Sequence, residues 1–187
     1  MVSAYRENID THGLGHKAFF YLSEGTHAAR LSQFSSILHS IIKANDSVLD
    51  VGCGIGDVIP YLPPCVYKGI DIVRECVEKA RKRYSDLTFS CMNVTDVTEQ
   101  HDWIIILGIT GTAPMPEVII KKTWELARKG IVVDFLDSQK VQRNELNTYK
   151  MGACTEFFLD MGAQRIELYR TRNSWNIYLV HKQSLWI

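Results

Sequence analysis

The sequence predicts an α/β fold in which helices cover both faces of a mostly parallel, seven-stranded sheet. Short apolar runs of strand length alternate along the chain with segments of helical periodicity, as a parallel sheet with crossover helices requires. The last two strand-like runs are joined by a short polar turn, which predicts an antiparallel hairpin at the end. A glycine-rich turn follows the first apolar run, where open sheets of this kind bind their ligands.

Each strand is predicted from one apolar run. The first five runs lack alternation, which is typical of strands buried on both faces, and lie near 47–51, 66–71, 87–91, 102–108 and 130–136. The hairpin is expected from 164–170 and 175–181, with a turn at 171–174.

The helices are predicted from apolar residues at helical spacing. Before the first strand these are Leu31, Phe34, Ile37, Leu38 and Ile41. A second, amphipathic helix is expected over 73–84. We expect Pro116 to begin a third helix and Gly130 to end it, with Arg128 and Lys129 in its last turn. A fourth helix is expected from about Thr148 to Met161.

Length and composition indicate one domain. The 187 residues, 46% of them hydrophobic, can bury a sizeable core, and no linker or repeat interrupts them. We expect a single domain over 1–187, with 1–45 as an N-terminal lid or helical segment and 46–187 as the core that contains the sheet. The 21 basic and 21 acidic residues balance, which argues against nucleic acid as a partner.

The N-terminal sequence and the cysteines predict a cytoplasmic protein. Residues 1–10 show no signal-peptide pattern and no apolar run long enough for a membrane span. The five cysteines are odd in number and include no C-x-x-C pair, so we expect reduced core residues and no metal site.

The turn after the first strand is the best candidate for a ligand site. The segment VLDVGCGIGDVIPYL (48–62) places Gly52, Gly54 and Gly56 after a buried strand and before an expected short helix, and the next strand ends on Asp71. Glycines let the backbone turn sharply and approach a ligand, while the acid can accept hydrogen bonds from ribose hydroxyls. The third glycine comes one residue too early for G-x-G-x-x-G, which disfavours a pyrophosphate ligand.

Asp50 followed by Gly52-Cys53-Gly54-Ile55-Gly56 resembles the E/D-x-G-x-G-x-G signature of class I S-adenosylmethionine-dependent methyltransferases. The resemblance extends over roughly 47–182 and implies a Rossmann-like methyltransferase fold. It also implies that S-adenosylmethionine is the cofactor, with its methionine end in the glycine loop and its ribose on Asp71.

Further cofactor contacts are expected just after the strand ends, where open sheets bind ligands. The predicted cofactor-binding residues are Arg30, Asp50, Gly52, Cys53, Gly54, Gly56, Asp71, Ile72, Asn93, Val94, Leu107 and Gly108. Some have alternative roles. Asp71 is also suited to cap the second helix. Asn93 stands where the family usually has an acid for the adenine amino group, and is also a turn-favouring residue.

Two other predicted cofactor contacts, Gly108 and Arg30, also have an alternative explanation. Gly108, with Gly111, is explained as well by a plain turn as by room for the cofactor. Arg30 is suited to a bidentate pair with the cofactor carboxylate, but an ordinary surface arginine fits the sequence too.

The methyl acceptor is not identified by any motif. The Asn/Asp-Pro-Pro-aromatic motif of many enzymes that methylate amide or adenine nitrogen is absent after the fourth strand, and the neutral charge favours a small-molecule acceptor. Methyl transfer mainly requires alignment and exclusion of water, so an obvious catalytic constellation is not needed. Candidate catalytic residues are His16 and His27 as bases and Tyr149 as a substrate contact.

Three alternatives follow from the same residues. A nucleic-acid or protein methyltransferase would need a basic surface around the pocket. A methyltransferase-like domain with a regulatory role is compatible with Asn93 and the missing motif, although the intact glycine loop and Asp71 argue against complete loss of the cofactor. A third alternative keeps the cofactor but cleaves it or transfers its aminopropyl group. The oligomeric state is not predicted.

Overall fold

The computed structural model describes Thr11, Gly13 and residues 24–141, 146–171 and 174–183. The helices are α1 (Glu24–Ile41), α2 (Arg74–Arg83), α3 (Pro116–Leu126) and α4 (Met151–Asp160). The strands are β1 (Ser47–Val51), β2 (Val66–Asp71), β3 (Thr88–Cys91), β4 (His101–Ile106), β5 (Ala127–Leu136), β6 (Arg165–Arg170) and β7 (Trp175–His181). Single 3₁₀ turns lie at Ile59–Tyr61 and Val94–Asp96.

The seven described strands form one sheet in the order β3-β2-β1-β4-β5-β7-β6. Strands β1 to β5 are parallel, and β7 lies antiparallel between β5 and β6. The predicted mostly parallel sheet with a C-terminal antiparallel hairpin is therefore confirmed. Because the chain moves outward from β1 to β3 and then returns to place β4 beside β1, a crevice opens at the carboxyl ends of β1 and β4.

Helices cover both faces of the sheet, as predicted. Successive residues of a strand point to opposite faces, so Trp103 and Ile105 of β4 pack with α1, whereas Ile104 and Ile106 pack with α3 and α4. Helix α2 packs on β2 and β3 on the α1 side, since its cluster and that of α1 share Leu62. The central strands are thereby buried on both sides, which explains their continuous apolar runs.

The end of the third helix differs from the prediction. Helix α3 ends at Leu126, and Arg128, Lys129 and Gly130 lie in β5. A Cβ at Gly130 would come within 2.2 Å of the Val180 carbonyl oxygen. Glycine is therefore required here by the close approach of β7, not by a helix end.

The segment after the glycine turn also differs from the prediction. Instead of a short α-helix, the chain forms turns and the 3₁₀ turn Ile59–Tyr61. Pro60 lies in this turn, and Pro63 and Pro64 follow it. Proline lacks a backbone N–H and restricts the residue before it, so an α-helix cannot extend through this segment.

Of the predicted lid over 1–45, the structure describes Thr11, Gly13 and residues 24–45, and His16 lies outside the described residues. No helix in the described part of the chain is long and apolar enough to cross a membrane.

Lys182 stabilises the junction between α3 and β5. Its Nζ donates to the carbonyl oxygens of Trp124 at 2.8 Å and Ala127 at 3.0 Å. Carbonyl groups at a helix C-terminus lack partners within the helix, and a cation there complements the helix dipole.

We expect Lys182→Met to lower the free energy of unfolding by about 1–2 kcal/mol in urea titrations. Lys43→Met, at an exposed lysine, serves as the control. Equal losses in the two variants would contradict the capping role.

Candidate functional site

A cavity of about 470 Å³ opens at the carboxyl ends of β1 to β4. Its wall is formed by the loops that follow these strands, by the first residues of α3, and by His27 and Leu31 of α1. This is the crevice that the strand order creates beside β1 and β4. Its volume lies within the range of pockets that bind cofactors and small molecules.

The glycine turn brings the main chain to the cavity wall. Gly52 and Gly54 have φ angles of +73° and +53°, which side chains with a Cβ rarely adopt. A Cβ at Gly52 would also come within 2.8 Å of Ile109 Cδ1. The Gly52 amide donates to the Ile70 carbonyl at 2.8 Å, which ties the turn to β2. The turn is therefore a cradle that larger residues would fill.

Asp71, at the end of β2, is bonded to this turn. Its Oδ2 accepts a hydrogen bond from the Gly54 amide at 2.9 Å, and its Oδ1 accepts one from the Val73 amide at 2.8 Å. Burial raises the pKa of the Asp71 carboxyl even though these donors oppose the shift. The N-cap of α2 is Val73. A carboxylate has about four lone-pair sites, so each oxygen can still accept from a ligand hydroxyl.

Asp50 lies deeper in the same wall. It is 3% exposed, and its Oδ2 accepts a hydrogen bond from the Tyr67 hydroxyl at 2.8 Å. Burial raises the pKa of Asp50 to about 7; the bond from Tyr67 opposes this shift and the charge of Asp71 adds to it. The carboxyl therefore changes its charge near neutral pH, and a bound cation would favour its ionised form.

Asn93 follows β3 and stabilises the turn there, which is one of the two roles that its sequence position predicts. Its Oδ1 accepts from the Thr95 amide at 3.1 Å and caps the 3₁₀ turn Val94–Asp96. It also lines the cavity, together with Ile72 and Val94. Both uses of the side chain are therefore compatible with its position.

At the wall formed by α1, three side chains connect two helices and the glycine turn. His27 Nε2 lies 3.2 Å from Asp57 Oδ2, and the Arg83 guanidinium at the end of α2 pairs with the other oxygen of Asp57. Burial would raise the pKa of Asp57, but the hydrogen bonds from His27 and Arg83 outweigh it and lower the pKa. Sequence reasoning gave Asp57 no role; its place directly after Gly56 was the available signal.

The cavity brings together ten of the twelve predicted cofactor residues, all except Arg30 and Gly56. Arg30, for which a contact with a cofactor carboxylate is predicted, does not line the cavity, because its guanidinium is buried against Asp134. Gly56 packs beside α2, where a Cβ would come within 2.9 Å of the Tyr84 ring.

Of the candidate catalytic residues in the described ranges, His27 lines the cavity and Tyr149 does not. The Tyr149 hydroxyl donates to the Thr110 carbonyl at 3.3 Å. Sequence reasoning also missed the apolar part of the wall after β4, which includes Ile109, Met115 and Val118. No group of three or more potential metal-binding side chains occurs among the residues that the structure describes.

Comparison with known proteins shows that the chain is similar to methyltransferases. A family model described as a methyltransferase domain matches residues 48–130, which include the glycine turn, Asp71 and Asn93. The mitochondrial ubiquinone biosynthesis O-methyltransferase of Saccharomyces cerevisiae is 30% identical over an alignment of 89 residues, with 42% of this chain covered. The chain spans only 28% of the length of that relative.

Solved structures share the fold. Magnesium protoporphyrin IX methyltransferase from Synechocystis PCC 6803, with bound S-adenosylmethionine, has a TM-score of 0.69 and 19% identity over 84% of this chain and 80% of that one. A plantazolicin methyltransferase, in complex with a pentazolic desmethylPZN analogue and S-adenosylhomocysteine, has a TM-score of 0.68 and 15% identity over 97% of this chain and 95% of that one. At these identities the likeness establishes the fold.

Proposed function

We propose that the chain is a class I S-adenosylmethionine-dependent methyltransferase that transfers the methyl group of S-adenosylmethionine to a small molecule. The observation that carries the proposal is the 2.9 Å hydrogen bond between Asp71 and Gly54, which joins the two parts of the family signature at one cavity wall. The signature is therefore assembled in space as well as present in the sequence.

The residues of the wall fit this cofactor. When bound, S-adenosylmethionine would supply an activated methyl carbon, which an acceptor attacks in line while S-adenosylhomocysteine leaves. Asp71 would accept hydrogen bonds from the vicinal hydroxyls, and the ionised form of Asp50 would favour positive charge beside it. The apolar side chains of Leu31, Val58 and Ile109 exclude water from the same space.

The acceptor is proposed to be small. The names of the relatives refer to magnesium protoporphyrin IX, plantazolicin and ubiquinone biosynthesis. Among the described residues that line the cavity, the acidic side chains are aspartates, and none of the lining residues is a lysine or arginine. This does not favour the nucleic-acid alternative, which calls for a basic surface. A cytoplasmic location stays a prediction from the sequence.

For acceptors that must lose a proton, we propose His27 as the base, oriented by Asp57. A positioned general base typically contributes about 10²–10⁴-fold, so His27→Gln should lower kcat for such acceptors by about 100-fold. S-adenosylhomocysteine affinity, measured by calorimetry, should change little. His39→Gln, at an exposed position on the same helix, should retain the wild-type kcat. An unchanged kcat in His27→Gln would show that another group is the base.

Calorimetry on the whole chain tests the proposed function. S-adenosylhomocysteine should bind at one saturable site and be displaced by S-adenosylmethionine, whereas absence of binding would overturn the proposal. Incubation of S-adenosylmethionine with candidate phenols, amines and thiols then separates the reactions. S-adenosylhomocysteine as product indicates methyl transfer, methylthioadenosine indicates cleavage or aminopropyl transfer, and binding without turnover favours the regulatory alternative.

A further inference from the structure

Behind the cavity wall, a buried ion pair joins α1 to the sheet. The Arg30 guanidinium donates to Oδ2 of Asp134 on β5, and the two side chains are 2% and 0% exposed. The guanidinium carbon lies 4.0 Å from the centre of the Trp175 ring on β7. Arg30 is therefore fixed both by charge and by stacking.

The other oxygen of Asp134 reaches the opposite wall. Its Oδ1 accepts from the backbone amide of Gly108 at 2.9 Å, and the Asp134 carbonyl accepts from the Thr110 hydroxyl at 2.5 Å. Gly108 lines the cavity directly after β4. One residue of β5 thus holds the start of the loop that supplies this part of the wall.

Helix α1 contributes the facing wall. His27 and Leu31, which line the cavity, lie on α1 three residues before and one residue after Arg30. The chain of contacts from α1 through Arg30 and Asp134 to Gly108 therefore connects two walls of the same cavity.

Energetics argue that this pair does more than stabilise the fold. Removing two charges from water costs free energy that their attraction often fails to recover, so a buried ion pair is weak evidence for stability. A neutral side chain could hold the Gly108 amide equally well. The charge on Asp134 is needed to bind Arg30, and Arg30 is what attaches α1.

We propose that Arg30 and Asp134 are a positioning pair that sets the spacing between the α1 wall and the Gly108 wall. The pair keeps the cavity preformed, so ligands need not order it when they bind. The inference relies on the proposed function only for the identity of the ligand used as a probe.

The test uses the double variant Arg30→Met/Asp134→Asn, which leaves no unpaired charge and retains an acceptor for Gly108. We expect its affinity for S-adenosylhomocysteine, measured by calorimetry, to fall about tenfold. Hydrogen–deuterium exchange of residues 107–115 should be faster than in the wild type without ligand. If the double variant folds poorly, Arg30→Lys provides the same readouts, because it keeps a positive charge opposite Asp134 but lacks the planar guanidinium that stacks on Trp175.

A second ion pair provides the matched control. Lys129 Nζ lies 2.5 Å from Oδ1 of the buried Asp46, at the amino ends of β5 and β1 and hence at the opposite edge of the sheet. We expect Asp46→Asn/Lys129→Met to lower stability while changing S-adenosylhomocysteine affinity less than about twofold. Wild-type affinity and exchange in the Arg30 and Asp134 variants would overturn the positioning role. Failure of the wild type to bind would instead count against the proposed function.

Discussion

Replacing Asp71 with alanine should lower the affinity for S-adenosylhomocysteine by about 100-fold, because hydrogen bonds to a charged acceptor contribute about 2–3 kcal/mol. The carboxylate lies at the cavity wall with both oxygens already directed by backbone amides. A ligand that offers two hydroxyls to it therefore meets an acceptor that needs no reorganisation. Calorimetry on purified Asp71→Ala measures the loss directly.

The same substitution should also loosen the glycine turn. Without Asp71, the amides of Gly54 and Val73 lose their acceptor, and we expect the unfolding free energy of the ligand-free protein to fall by about 1–3 kcal/mol. Asp71→Asn keeps the size but replaces one acceptor oxygen with a donor that faces an N–H group. We expect its affinity to lie between those of the wild type and the alanine variant.

Asp96→Ala is the matched control for Asp71→Ala. Asp96 is an exposed acid in the 3₁₀ turn beside the cavity and does not line the cavity. Its removal should leave S-adenosylhomocysteine affinity unchanged. If Asp71→Ala remains folded and binds as tightly as Asp96→Ala, the role assigned to Asp71 is wrong.

The sheet could be predicted because its signals are local. Strands β1, β2 and β7 begin and end where their apolar runs do. For the wrongly predicted end of the third helix, the deciding contact is distant in sequence. Gly130 belongs to β5 because the chain at Val180 passes close to it, and nothing near Gly130 reveals that neighbour.

In the candidate site, too, some residues could be placed from the sequence and others depend on contacts that are distant in sequence. The glycine turn and Asp71 are placed by strand ends that share one edge of the sheet, so their proximity follows from topology. Arg30 bonds to a residue 104 positions away, and the rotation of α1 that buries it depends on packing against β7. The sequence therefore identified a basic residue near the site without indicating which way it points.

A second large effect is expected from pH acting on Asp50. Burial raises the pKa of this carboxyl to about 7, whereas its ordinary value is 3.8. The native state therefore holds a proton that the unfolded chain releases above pH 3.8, and stability should fall as pH rises from about 4 to about 7. A shift of this size corresponds to roughly 4 kcal/mol. Asp50→Asn should remove most of this fall and be more stable than the wild type at pH 8.

The affinity for the cofactor should change with pH in the opposite direction to the stability. S-adenosylmethionine carries positive charge, which favours the ionised form of Asp50. The affinity of the protein for S-adenosylmethionine should therefore rise between pH 6 and pH 8, and binding at the lower pH should release a proton. Asp50→Asn should bind about tenfold more weakly at pH 8, since an amide offers no charge. The variant is then more stable but binds less well, a combination that general damage to the fold does not produce.

Calorimetry in buffers of different ionisation enthalpy counts the protons released on binding. The wild type should release a fraction of a proton at pH 6.5, and Asp50→Asn should release less. Asp71 and His27 also lie at the cavity, so the difference between wild type and variant, rather than the total, reports Asp50. Equal proton release in both proteins, together with equal dependence of stability on pH, would show that Asp50 does not titrate in this range.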